Sequence, residues 1–332
     1  MAMTFPSFPR AISLSLTGSC NLNCMHCRIG SRRETNPRLL DSFGFARVIK
    51  DLASVRRDFT VILSGGEPLL FHGLGGLVRA ISYAGVRPVL TTNGLLLDEA
   101  RVLELASAGL REVVVSIDGF RVIHDTLRRK KGAFKGAMSA IDRVRSLAPG
   151  MTITVLAVIS AFNLDQIVAF AQWLGQDPRI DRITFQFVAQ PMPDQLDDYW
   201  FRKSDLWPSD PEEAGRVLDE LISLREAPGS KITNPVMQLA AAKRYFSNPL
   251  QSVQGTCRKG FKYLSLDATG HVCTCVSHPP MARMEGPSIL EILSSRQAAE
   301  HLQRMRECRS NCHHLINCFY DETEEETPIV IP

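Results

Sequence analysis

From Ala11 to Val188, short apolar runs of strand length alternate with segments whose apolar residues recur at helical spacing. The runs predict strands at Ala11–Leu16, Thr60–Leu63, Pro88–Thr91, Glu112–Ile117, Thr152–Ile159 and Arg182–Val188. Between them, Leu74, Leu77, Val78 and Ile81 fall on one helical face, and that helix is expected to end near Gly85. Asp98 reads as an N-cap before Val102, Leu105 and Ala106, with Gly109 as the stop. Two more helices fit Phe134–Leu147 and Leu164–Leu174. Six βα units in series imply parallel strands with right-handed crossovers, as an open sheet or a partial barrel.

The alternation breaks at Pro191 to Asp210, a Pro- and Asp-rich stretch that reads as a linker or a lid. Helices are expected at Glu212–Arg225 and Pro235–Phe246. The period then becomes two: Phe261 to Leu266 and His271 to Val276 flank Asp267-Ala268-Thr269-Gly270, a hairpin signal. A helix carrying Ile289, Ile292 and Leu293 follows, and the tail from Asp321 to Pro332 is expected to be mobile. The chain thus divides into an α/β region over 1–200, a helical linker over 201–250, a small C-terminal unit over 251–320 and a tail over 321–332.

The polar motifs of the first region lie just after strands. Cys20-x3-Cys24-x2-Cys27 follows the first, and Ser64-Gly65-Gly66-Glu67-Pro68 the second. Thr92-Asn93-Gly94 follows the third, and Ser116-Ile117-Asp118-Gly119 closes the fourth. Parallel α/β architectures build their sites at the carboxyl ends of strands, so the four motifs form one constellation. Gly65 and Gly66 would let the backbone approach a ligand closely, or they form a plain turn. Arg128-Arg129-Lys130-Lys131 is a solvated basic face, unless one member turns inward and forks onto a carboxylate.

Cysteine carries the chemistry. There are nine, none between Cys27 and Cys257, so they cluster at the two ends. Structural thiols scatter through a core, whereas ligand thiols group together. Three closely spaced thiolates suit zinc or iron–sulfur. A structural zinc site wants four ligands, and His26, the nearest candidate for a fourth, would strain so short a loop. Three thiolates without a fourth suggest a cluster with one open iron.

Composition narrows the partners. Of 332 residues, 45% are apolar and 22% charged, as in ordinary globular proteins. The 38 Lys and Arg nearly cancel the 35 Asp and Glu, for a net charge of +3, so no nucleic-acid partner is expected. The longest apolar run, Ile153 to Phe162, is about half of what a bilayer-crossing helix needs. The run Ala11 to Leu16 after Arg10 is too short for a secretory core. No membrane partner and a cytoplasmic location are expected.

Cys20-Asn21-Leu22-Asn23-Cys24-Met25-His26-Cys27 with Gly65-Gly66-Glu67-Pro68 resembles the radical S-adenosylmethionine (radical SAM) superfamily. The resemblance implies a partial (β/α)6 TIM-like barrel and a [4Fe-4S] cluster on Cys20, Cys24 and Cys27. S-adenosylmethionine would chelate the open iron and yield a 5′-deoxyadenosyl radical on reduction by a flavodoxin or ferredoxin. It also implies that Gly65, Gly66 and Glu67 meet the methionyl amino group. Ser116 and Gln186 look like ribose or methionyl contacts, Asn93 like a further cofactor contact, and Arg128 like the carboxylate partner. His26 stands where an aromatic residue is common, and its imidazole would stack on adenine. Cys257-x17-Cys275 and Cys308-x3-Cys312-x5-Cys318 resemble the SPASM or twitch auxiliary-cluster domains, a small α+β unit of hairpin and helix. One auxiliary [4Fe-4S] cluster is favoured, held by Cys257, Cys275 and two of Cys308, Cys312 and Cys318, with Cys273 spare; two clusters with open irons are the alternative.

Three functions compete. The first is an oxidoreductase acting on a small polar natural product such as a sugar, aminocyclitol or nucleoside, by oxidation, epimerisation or decarboxylation, in antibiotic biosynthesis. The second is a peptide-modifying maturase forming thioether or carbon–carbon crosslinks. The third is a non-enzymatic protein whose metal sites are structural.

Overall fold

The computed structural model describes residues 3–5, 8–29, 40–191, 197–250, 259–275, 278–308 and 329–331. After a short β1 (Met3–Phe5) come β2 (Ala11–Ser15), α1 (Ser42–Val55), β3 (Thr60–Ser64), α2 (Leu74–Tyr83), β4 (Arg87–Thr92), α3 (Glu99–Ser107) and β5 (Glu112–Ser116). Then follow α4 (Arg121–Leu127), α5 (Ala133–Leu147), β6 (Thr152–Ile159), α6 (Ile167–Gln176) and β7 (Arg182–Phe187). Strands β2 to β7 lie side by side in chain order, all parallel. This is the parallel series of six βα units that the alternation predicts, in the partial barrel that the resemblance implies.

Local chemistry explains the units. In α1, Phe45, Val48, Ile49 and Leu52 form one buried stripe, and the Asp41 carboxylate accepts from the Gly44 amide to cap the first turn. Asp98 caps α3 by accepting from the Arg101 amide, and Gly109 follows with φ +98°. One face of the sheet is sealed: Ile12, Leu14, Val61, Leu63, Val113 and Val115 are fully buried. The opposite face of β2, β3 and β7 is partly open, with Ser15, Ser64, Thr184 and Gln186 around Ile62. Ser13 lies on that face too, and its hydroxyl bonds that of Ser64 at 2.9 Å.

Beyond β7, α7 (Pro211–Glu226) and α8 (Val236–Ser247) match the two helices expected there. The C-terminal part differs from the sequence pattern. After α9 (Lys259–Lys262), a single turn occupying the expected start of the hairpin, come β8 (Tyr263–Asp267) and β9 (His271–Cys273). They form the hairpin, but β8 also pairs with β2 in parallel along its whole length, from Ala11↔Tyr263 to Ser15↔Asp267. With β10 (Ala282–Arg283) on β9, the sheet has nine strands among the described residues. The hairpin expected in a separate C-terminal unit thus extends the barrel sheet. This covers the edge of β2, whose backbone groups need partners.

Helices α1, α4 and α11 escape the pattern. The sequence reading placed nothing at α4, only seven residues long. It reached α10 (Ile289–Leu293) but not α11 (Arg296–Arg306), whose buried stripe of Ala298, His301, Leu302 and Met305 is thinly apolar. The last strand, β11 (Ile329–Ile331), pairs antiparallel with β1. Part of the tail expected to be mobile is thus ordered by strand pairing. No helix among the described residues is long and apolar enough to cross a membrane.

Candidate active site

The cysteine loop leaves the carboxyl end of β2 and is stitched to the loop after β3. Gly66 N–H donates to Thr17 O at 2.7 Å, and Glu67 N–H to Ser19 O at 2.9 Å. These contacts explain both glycines. A Cβ on Gly66 would stand 2.1 Å from Ser19 O, and Gly65 has φ +119° with Thr17 O 2.7 Å from a Cβ position. The close approach expected of a ligand is made by the chain's own backbone at the start of the cysteine loop.

Three further bonds fix the loop. Asn93 donates from Nδ2 to Asn21 Oδ1 at 2.8 Å, tying it to the end of β4. The Leu22 amide donates to Cys20 Sγ at 3.4 Å. The Met25 amide donates to Leu127 O at 2.8 Å, tying the loop to the end of α4. Cys24 is buried, and Cys20 and Cys27 are half-buried, all as free thiols. Burial pushes the Cys20 and Cys24 thiols up; the Leu22 amide opposes this at Cys20 and the Arg128 cation at Cys24. The Cys27 charge acts on both. Among the described residues, no three His, Cys, Asp or Glu side chains form a group able to hold a metal ion. The donor set itself, three thiols on one short loop with the Leu22 amide on Cys20 and the Arg128 guanidinium beside Cys24, suits a thiolate-bound cluster.

Glu67 is 1% exposed, and its carboxylate is occupied. It accepts from Thr92 Oγ1 at 2.7 Å, from the Asn93 amide at 2.9 Å and from the Leu69 amide at 3.2 Å. Burial still raises its pKa against these three donors. Its side chain is thereby committed to the ends of β3 and β4. Asn93 faces both ways, since its Oδ1 also accepts from the Leu95 amide at 3.0 Å.

The basic run does turn one member inward. Arg128 is 7% exposed and forks onto Asp118, Nε to Oδ2 at 2.7 Å and Nη2 to Oδ1 at 3.0 Å. The carboxylate it meets is the chain's own, and its remaining nitrogen, Nη1, lies 3.8 Å from Cys24 Sγ. Asp118, fully buried, also accepts from the Val158 amide at 3.1 Å. Burial opposes its charge, but the Arg128 cation beside it, aided by His26, His124 and that amide, lowers its pKa to about 2. Asn163 Nδ2 donates to Asp118 O at 2.6 Å. His124 accepts the Asp118 amide proton at Nδ1, 3.1 Å, and burial holds its pKa down at about 4. Asp125, next to His124 in sequence, caps α5 by accepting from the Gly132 and Phe134 amides, each at 2.8 Å.

Of the other predicted residues, Ser116 ends β5 and is buried, and Gln186 lies near the end of β7 and is half-buried. His26 is half-buried with its Nδ1 sealed from water and unbonded, and burial lowers its pKa to about 4. Cys257, Cys312 and Cys318 lie outside the described residues. Cys275 is buried after β9, Cys308 half-exposed after α11, and Cys273 half-buried opposite Ser265. Beside Cys275, the Thr274 hydroxyl bonds His301 Nε2 at 2.8 Å. Asp118, His124, Asn21 and Thr92 belong to this site but were not picked as site residues. Asp118 and Thr92 carry a signal by standing at strand ends, Asn21 by lying inside the cysteine motif, and His124 by its place in His124-Asp125-x2-Arg128.

Residues 14–174 match the Radical SAM superfamily. A relative from Methanosarcina barkeri, an AdoMet-dependent heme synthase, is 36% identical over 168 residues, 50% of this chain and 47% of its own. The chain spans about half the length of the curated relatives it matches. The crystal structure of Streptococcus suis SuiB bound to precursor peptide SuiA superposes with a TM-score of 0.65 at 15% identity, over 89% of this chain and 67% of that one. That of BtrN in complex with AdoMet and 2-DOIA covers 98% of this chain and 99% of its own, at 16% identity and a TM-score of 0.51. Those two likenesses establish the shared fold, and residues 14–174 form a radical SAM domain.

Proposed function

We propose that Cys20, Cys24 and Cys27 hold a [4Fe-4S] cluster that binds S-adenosylmethionine, and that the enzyme abstracts hydrogen from a small polar substrate. The observation that carries this is the thiol loop itself, stitched to Gly66 and Glu67 at the carboxyl end of the barrel. When bound and reduced, the cluster and its nucleotide supply a 5′-deoxyadenosyl radical. The chain's residues position and shield. The Gly65–Glu67 backbone and Asn93 fix the loop, His26 offers a ring beside it, and Ser116 and Gln186 offer polar contacts at strand ends. The auxiliary site would use Cys275 and Cys308 with Cys257, Cys312 and Cys318.

A polar substrate is favoured by the open face of the sheet. Ser15, Ser64, Thr184 and Gln186 line it, and Ser265 and Asp267 of β8 join them by register. Hydroxyls and amides there would pair with substrate hydroxyls or amines, which an apolar wall cannot do. The end-to-end likeness to BtrN, crystallised with AdoMet and 2-DOIA, supports the same reading. A peptide substrate is the second reading, supported by the likeness to SuiB bound to its precursor peptide.

Anaerobic reconstitution tests both. Dithionite-reduced protein should release 5′-deoxyadenosine from S-adenosylmethionine, and Cys24→Ala should not. About eight irons per chain would fit two four-iron clusters. A two-hydrogen mass loss in a precursor peptide, with no turnover of aminocyclitols, sugars or nucleosides, would favour the peptide reading. Wild-type protein that leaves S-adenosylmethionine intact would refute the assignment.

A further inference from the structure

We propose that Arg128 is a positioning residue that donates an N–H···S bond to Cys24 and thereby makes the cluster easier to reduce. The inference rests on the cluster assignment above. It starts from a guanidinium held on three sides. Asp118 takes Nε and Nη2 at 2.7 and 3.0 Å, which consumes one edge of the fork. Asp118 is itself pinned by the Val158 amide, and its backbone by His124 and Asn163. The plane of the guanidinium is therefore fixed from behind, and its last nitrogen lies 3.8 Å from Cys24 Sγ.

The backbone fixes the same distance independently. Leu127 O, one residue before Arg128, accepts from the Met25 amide, one residue after Cys24, at 2.8 Å. The end of α4 and the cysteine loop are thus locked at the point where side chain meets thiol. An ion pair serving stability alone needs neither the third contact nor this lock. Both groups are almost wholly buried, so the charge is little screened by water.

Reduction adds one electron to the cluster, delivered by a flavodoxin-type protein or by dithionite. A fixed cation and an N–H donor beside a ligating sulfur stabilise the more negative state and raise the potential. Lysine would satisfy Asp118 as a point charge, but it lacks the planar fork needed to reach Cys24 as well.

The test is a redox titration of reconstituted wild-type, Arg128→Lys and Arg128→Gln protein, following the cluster whose electron paramagnetic resonance changes on adding S-adenosylmethionine. Circular dichroism and iron content check that each variant is folded and loaded. Arg128→Lys should lose about tenfold in the reduction equilibrium, ~59 mV towards negative potential for a one-electron couple. An unshifted potential in a folded, loaded variant overturns the proposal. If neither variant folds, wild-type protein labelled with 15N-arginine should show 15N coupling to the reduced cluster in pulsed resonance, and no coupling overturns it. Wild-type protein without any S-adenosylmethionine-responsive cluster overturns the cluster assignment and this proposal together; a responsive cluster with an unshifted potential overturns this proposal alone.

Discussion

At Gly66 an added methyl would stand 2.1 Å from the Ser19 carbonyl oxygen, a backbone atom that cannot rotate away. Gly66→Ala must therefore displace the cysteine loop. About 1–3 kcal/mol of stability should be lost, as in other overpacked sites, together with iron retention after desalting. A thermal melt and an iron assay check this. Titration supplies a second residue-scale expectation. His124 is held at about 4 against an ordinary 6.5, so its contribution is complete above pH 6.5 and is lost as pH falls towards 4. Asp118, held at about 2 against 3.8, contributes above about pH 4 and loses its share between 4 and 2, an amount of order 2 kcal/mol. Urea unfolding at pH 7, 5 and 3 should show stability falling in both steps. Asp118→Asn, which leaves Arg128 buried without its counter-charge, should cost about 3–5 kcal/mol at pH 7 and close on the wild type at pH 3. The inward turn of Arg128 was legible as one of two alternatives, because a buried guanidinium needs a carboxylate. Which carboxylate it meets was not, since Asp118 stands just past β5 and Arg128 at the far end of α4, and no helical or strand spacing pairs them.

The elements that sequence pattern found are those whose burial is one-sided and periodic. Helices α2, α3 and α5 each show an apolar stripe with a cap or a glycine stop, and strands β2 to β7 are near-continuous apolar runs; α1, with a stripe as regular, is an element the pattern left out. Helix α11 was missed because His301 and Met305 share its buried face with only Ala298 and Leu302. The hairpin at Asp267 to Gly270 was legible from its turn residues, but its docking on β2 was not. Parallel pairing leaves no local turn signal, and the partners lie some two hundred and fifty residues apart along the chain. The pairing is testable at Ser265, the middle of β8, flanked by β9 and β2. Proline there lacks an amide and cannot sit inside a sheet. Ser265→Pro should cost about 3 kcal/mol, whereas Ser265→Thr should be tolerated. Thermal melts of the two variants would separate a hairpin integral to the barrel from one merely resting on it, since the latter would leave the main transition unmoved by proline.

Across the whole molecule, the two ends of the barrel do different work. At the carboxyl ends, polar groups converge on the thiol loop, and each bond there also orients something. At the amino ends, Glu112 accepts from Arg87 at 2.6 Å, from Thr154 at 2.6 Å and from Arg182 at 3.4 Å, linking the starts of β4, β5 and β7 with β6. Nothing in the spacing of these residues marked them as a group, because they are brought together by the order of strands in the sheet. Residues at this end of a (β/α) barrel serve stability rather than chemistry. Glu112 is buried but its two arginines are half-exposed, so solvent screens the pair and the hydrogen bonds carry most of its value. Glu112→Gln keeps the shape and an acceptor, and should cost about 1–2 kcal/mol, lowering Tm. The rate of 5′-deoxyadenosine release per folded, iron-loaded chain should stay at the wild-type value. A fall in that rate without a fall in Tm would mean that the amino end of the barrel communicates with the thiol loop, and the division of labour between the two ends would have to be abandoned.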